Sequence, residues 1–132
     1  MKLHIRRGGF TLVEIMIVVA IIALLAAIAV PNFLRARKRS EATRVLEDLR
    51  MIDNATDEYA IDTNKTSGMN PSWSDLENYV KTGTTLYLTG EDIFGDSYGP
   101  TFTVDNQPLI PSNAWITLSD VAPAAFWSPY HN

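Results

Sequence analysis

Gly9-Phe10-Thr11-Leu12-Val13-Glu14, followed by an apolar run from Ile15 to Val30, decides how this chain is built. Phe10 to Val30 is 21 residues with a single charge. As a helix rising about 1.5 Å per residue, such a run is roughly 30 Å long, the thickness of the hydrocarbon layer of a bilayer. Glu14 therefore falls where a charge costs about 2.5–3.5 kcal/mol, and a carboxylate at that depth calls for a role and a partner.

Working outward, Lys2, Arg6 and Arg7 precede the run with no acid among them. That basic start, the apolar stretch and the small residues of Ala27-Ile28-Ala29 are the parts of a secretory signal peptide. Cleavage after Ala29 would release a soluble secreted binding domain beginning at Val30. The run exceeds the roughly 7–15 residues of a signal peptide and carries Glu14. An uncut membrane anchor accounts for length and flanking charge but gives Glu14 nothing to do. Basic residues flank both ends, so the positive-inside rule sets orientation only weakly.

The same residues resemble the class III signal of type IV pilins and type II secretion pseudopilins: Gly9, an aromatic Phe10, a hydroxyl residue Thr11 and Glu14 in one register before a long apolar run. The resemblance implies cutting by a membrane-embedded prepilin peptidase between Gly9 and Phe10, on the cytoplasmic side, and N-methylation of the new Phe10 amine. It divides the chain into a leader (1–9), a transmembrane and polymerisation helix (10–30) and a pilin-like globular domain (31–132). The new amine would lie four residues before Glu14, about one helical turn. A carboxylate and an ammonium that meet closely offset each other's desolvation. In the family the amine belongs to a neighbouring subunit, which makes Glu14 the residue of assembly and register.

Pro31 ends the apolar run and removes a helix hydrogen bond, so a kink or break is expected there. Beyond it Leu34, Lys38, Ala42, Val45, Leu49, Ile52, Thr56 and Tyr59 recur at helical spacing, with Leu46 widening the stripe. The chain reads as one long helix over about 10–60, apolar all round in its first half and amphipathic in its second. Thr63 to Ser72 reads as a loop, and Ser72 with Asp75 as the N-terminus of a short helix reaching toward Val80. Thr84–Thr89, Thr101–Val104 and Trp115–Leu118 read as strands, and Val121–Tyr130 as a coil that packs its aromatic rings on the domain. The expected fold class is α+β: a pilin-like long N-terminal helix laid on a small antiparallel sheet.

Two histidines, His4 and His131, lie at the ends of the chain, and no Gly-rich phosphate loop or metal-ligand histidine spacing occurs. No enzyme is expected. Cysteine is absent, so no disulfide supports the fold. Residues 35–50 hold six basic against three acidic side chains, and from Met51 onward two basic face eleven acidic. The acidic distal part argues against nucleic-acid binding. The basic cluster at 35–39 suits lipid headgroups or neighbouring chains.

Asp92-Ile93-Phe94-Gly95-Asp96-Ser97-Tyr98 loosely resembles the Asp-Pro-Trp-Gly-Asn-Pro-Tyr stretch of major pseudopilins. In those proteins a nearby C-terminal loop often holds calcium, for which Glu91, Asp92, Asp96 and Asp105 are the candidate oxygen donors here; no other cofactor is expected. The short chain, the missing cysteine pair and this stretch lean toward a type II secretion pseudopilin in protein export. The alternative is a type IV pilin of a surface fibre for adhesion, motility or DNA uptake. The partners implied are further copies of the chain in a filament, the prepilin peptidase, an inner-membrane assembly platform, and lipid before assembly. The implied location is the bacterial inner membrane with the C-terminal domain outside the cytoplasm, then a periplasmic or surface filament.

Overall fold

The computed structural model describes residues 8–131. Lys2, His4, Arg6, Arg7 and most of the expected leader fall outside that range. Helix α1 spans Leu12–Thr63, 52 residues, with Pro31 inside it. The helix does not break at Pro31 but runs through it. Good helix formers on both sides carry the helix past one missing N–H, a loss that proline always imposes.

The chain divides into two units, one ending at Ala36 and one starting at Arg37. In the first, every described residue from Gly8 to Ala36 is exposed. Ile15, Ile17, Val18, Ile21 and Ile22 each leave at least half of their surface exposed. By length and composition the helix is able to cross a membrane, and none of its most apolar window is buried.

The second unit has a conventional core. Ala42, Val45, Leu46, Leu49, Ile52 and Ala55 of α1 are buried at the spacing read from sequence. Against them pack Leu76, Val80, Leu86, Phe102, Ala114, Leu118, Trp127 and Tyr130. Lys38, a charge on the apolar stripe, gives its ammonium to Asp120 at 2.9 and 3.1 Å.

Helix α2 (Trp73–Leu76) continues into a 3₁₀ turn over Glu77–Tyr79. Its capping box is the one expected from Ser72 and Asp75. Helix α3 (Thr85–Thr89), helix α4 (Ser112–Leu118) and helix α5 (Ala124–Trp127) complete the unit.

Among the described residues there is no β-strand, so the expected antiparallel sheet is absent. Two of the expected strands are helices. Thr84–Thr89 alternates like a strand, but the Thr84 hydroxyl accepts from the Tyr87 N–H at 3.1 Å and Gly90 closes the turn at φ 66°, ψ 17°. A threonine N-cap and a left-handed glycine together outweigh β propensity over five residues. Gly90 is doubly required, because a Cβ there would lie 2.9 Å from the Trp73 ring. Trp115–Leu118 belongs to α4, whose Ala114 and Leu118 are buried one turn apart.

Thr101–Val104 keeps strand alternation, with Phe102 and Val104 buried. The Phe102 and Val104 N–H groups each donate at 2.9 Å, to Pro71 O and Met69 O. Among the described residues, the one β-bridge this segment forms is between Thr101 and Ser72. The facing segment cannot continue the ladder: Pro71 has no N–H, and Gly68 sits at φ 83°. The tail packs its rings as expected, with Trp127 buried from α5 and Tyr130 buried from the irregular segment that follows it.

Three tyrosines tie the distal segments to aspartates of α1. Tyr98 donates to buried Asp48 at 3.0 Å, Tyr130 to Asp53 at 3.2 Å, and Tyr79 to Asp62 at 2.7 Å. Burial pushes the Asp48 carboxyl above its ordinary 3.8, with the Tyr98 hydrogen bond and Arg44 opposing. Burial does the same to Asp53, against its bond from Tyr130. An acid whose folded pKa is raised binds its proton more tightly when folded. The stability it contributes is present at low pH and is lost as pH rises from the unfolded value through the folded one. The globular unit should therefore gain thermal stability as pH falls from neutral toward the ordinary carboxylate range near pH ~4. Below 3.8 the trend reverses at Asp75, whose pKa is lowered by its Ser72 hydrogen bonds. Melting temperatures across this range, compared between wild type and Asp48→Asn, test the assignment. Identical pH slopes would remove Asp48 as a source.

Candidate functional site

The N-terminal site is built from the start of α1. Thr11 stands before the first helical residue, and its backbone O accepts from Ile15 at 3.3 Å. The Thr11 hydroxyl accepts from the Glu14 N–H at 3.2 Å. Glu14 Oε2 accepts from the Thr11 N–H at 2.7 Å and the Thr11 hydroxyl at 3.0 Å. This is a reciprocal capping box, in which residues Ncap and N3 satisfy each other's free donors. The sequence reading of Glu14 missed this intrachain partner, although Thr-x-x-Glu before an apolar run is its signature.

The box holds the carboxylate beside the first helical turn, where the helix dipole favours negative charge. Glu14 also lines an open, largely apolar depression with Phe10, Ile15, Ile17 and Val18. Phe10 is 85% exposed. Gly8, Gly9 and Phe10 have no regular secondary structure. A Cβ added at Gly9 would meet nothing within 4 Å among the described residues, and the backbone there is not left-handed. The fold makes no demand for glycine at this position.

The four calcium candidates do not gather. Asp92 is buried, and its Oδ1 accepts from the Phe94 and Asp96 N–H groups at 2.8 and 2.9 Å. The second carboxylate oxygens of Asp92 and Asp96 are buried without a hydrogen-bond partner among the described residues. Glu91 bridges to Ser97, and Asp105 stands in its own turn at φ 68°. Among the described residues no three His, Cys, Asp or Glu side chains come together as a metal site. Asp92 instead caps its own loop: its N–H also donates to Asp96 O at 2.8 Å.

Residues 5–30 match the family model described as the prokaryotic N-terminal methylation motif. The chain is 35% identical over 60 residues to the type II secretion system core protein G of Aeromonas hydrophila, covering 46% of this chain and 42% of that protein. It is 50% identical over 56 residues to the type IV wide pilus major component PilA4 of Thermus thermophilus, covering 42% of this chain and 43% of that protein. It is 50% identical over 50 residues to the type IV major pilin protein PilA of Myxococcus xanthus, covering 38% and 23%. The chain thus spans less than half the length of these curated relatives. No solved structure matches.

Proposed function

We propose that this chain is a structural subunit of a type IV pilus-like filament, cut by a prepilin peptidase after Gly9 and methylated on Phe10. The observation that carries this reading is the methylation motif over residues 5–30, which runs into a helix whose most apolar window is left unburied. A chain with that surface has two ways to cover it, lipid and other copies of itself. Small residues such as Ala20, Ala23, Ala26 and Ala27 let helices approach closely enough for packing to replace lipid contact. The chain performs no catalysis in this reading; the chemistry happens to it, at Gly9 and Phe10.

The reading leans toward a type II secretion pseudopilin in protein export, in keeping with the likeness to core protein G. The likeness to two major pilins supports a surface fibre as the second reading. Loss of exported proteins without loss of fibres on deletion favours the first. Filaments of this chain on the cell surface favour the second.

The processing step is tested by the N-terminal residue and intact mass of the protein from its native membrane fraction. The expected result is a chain beginning at Phe10 and carrying one methyl group. A start at Val30 would overturn the reading and make residues 1–29 a signal peptide.

A further inference from the structure

Arg37, Ser40 and Arg44 lie on one face of α1, at spacings of three and four residues. With Glu41, Ile93 and Phe94 they line an open cavity of about 350 Å³. We infer that this cavity seats the phosphodiester headgroup of an anionic lipid. The inference rests on the membrane-anchored reading above.

The donors are in place. Arg37 gives Nε to Glu41 at 2.9 Å, and Arg44 gives one Nη to Thr85 Oγ1 at 2.8 Å. A guanidinium has five N–H donors, so both keep most of theirs for a ligand. Paired N–H groups of arginine match the two oxygens of a phosphate. Glu41 cancels one of the two positive charges, which leaves the lining net positive by one and suited to a monoanion.

The opposite wall is apolar. Ile93 and Phe94 are half-buried and held by the Asp92-capped loop. That wall fits the glycerol and upper acyl region next to a headgroup, and gives nothing to a free carboxylate or phosphate. Arg37 also follows the apolar run by only seven residues of chain. If the C-terminal side is translocated, the excess of basic residues over 35–50 opposes the usual cytoplasmic bias. A lipid phosphate on that side gives those charges a partner.

The test uses the full chain in neutral detergent micelles. NMR follows the Ser40 and Phe94 amides during titration with short-chain phosphatidylglycerol, short-chain phosphatidylcholine and inorganic phosphate. Phosphatidylglycerol should saturate both shifts, and Arg37→Gln and Arg44→Gln should each weaken it about fivefold. Lys81→Gln, outside the cavity, should not. If Arg44→Gln misfolds through loss of its Thr85 bond, Arg37→Gln still decides, since that side chain is 68% exposed. Equal response to phosphatidylcholine, saturation by inorganic phosphate alone, or unchanged binding in Arg37→Gln would each overturn the inference. Unchanged lipid binding with lost filaments in Arg37→Gln would assign the arginines to a second copy instead. Flotation with pure phosphatidylcholine vesicles reads membrane insertion separately, so failure of the anchored reading is distinguishable from failure of the headgroup site.

Discussion

Glu14→Ala should leave the chain in the membrane and abolish ordered filaments. Removing the carboxylate makes the helix more apolar, so insertion is eased by about 2.5–3.5 kcal/mol on insertion scales. Assembly loses the proposed partner of the Phe10 amine, and an ammonium left at that depth is unpaired. Breaking a close ion pair at one end costs about 3–5 kcal/mol when the site is dry, enough to remove detectable polymer.

The substitution also removes half of the Thr11–Glu14 capping box. Glu14→Gln separates the two effects, because glutamine is equally competent at the N3 position of such a box. If the charge sets register, Glu14→Gln should fail to assemble as Glu14→Ala does, with helix content kept. Membrane fractionation and electron microscopy of both variants read the outcome. Normal filaments from Glu14→Ala would sink the assembly role, and normal filaments from Glu14→Gln alone would reduce Glu14 to a helix cap.

The largest loss of stability should come from Trp127→Ala. Trp127 is fully buried, stands edge-on to Phe126 with centroids 4.9 Å apart, and donates its indole N–H to Ala122 O at 3.0 Å. Truncating a buried tryptophan costs about 3–5 kcal/mol through lost transfer energy and the cavity left behind. A unit this small holds about 5–15 kcal/mol in all, so the melting temperature should fall by ~12 °C or more. Trp127→Phe keeps an aromatic ring in the site and loses the hydrogen bond, for roughly 1–2 kcal/mol. Thermal and denaturant unfolding of the full chain in detergent checks both. A loss under ~1 kcal/mol for the alanine variant would show that the tail does not belong to the cooperative core.

What was legible in the sequence follows from the range of the interactions that decide it. The long helix was readable because its signal is periodic over many turns, and its buried positions Ala42, Val45, Leu49 and Ile52 are those of the stripe. The Ser72–Asp75 cap was readable because both partners lie within four residues. Thr84–Thr89 alternates like a strand, yet Thr84 and Gly90 flank it as helix caps, and over so short a segment local capping chemistry outweighs alternation. The burial of Asp48 was not legible. Its partner Tyr98 is 50 residues away, and a lone acid beside an apolar stripe reads as solvent-facing until that contact is known. At the N-terminal site, a lone charge in an apolar run marks Glu14, and Thr-x-x-Glu before that run signals the Thr11 half of the box.

The exposure of every described residue before Arg37 has a kinetic consequence. A helix with no covering surface of its own cannot linger in water between lipid and polymer. In the proposed filament, each added copy would pass from one apolar environment to the other without a solvated intermediate. Growth would then track the two-dimensional density of the chain in its membrane, and a small patch of bilayer crowded with subunits would elongate a filament that a dilute one could not.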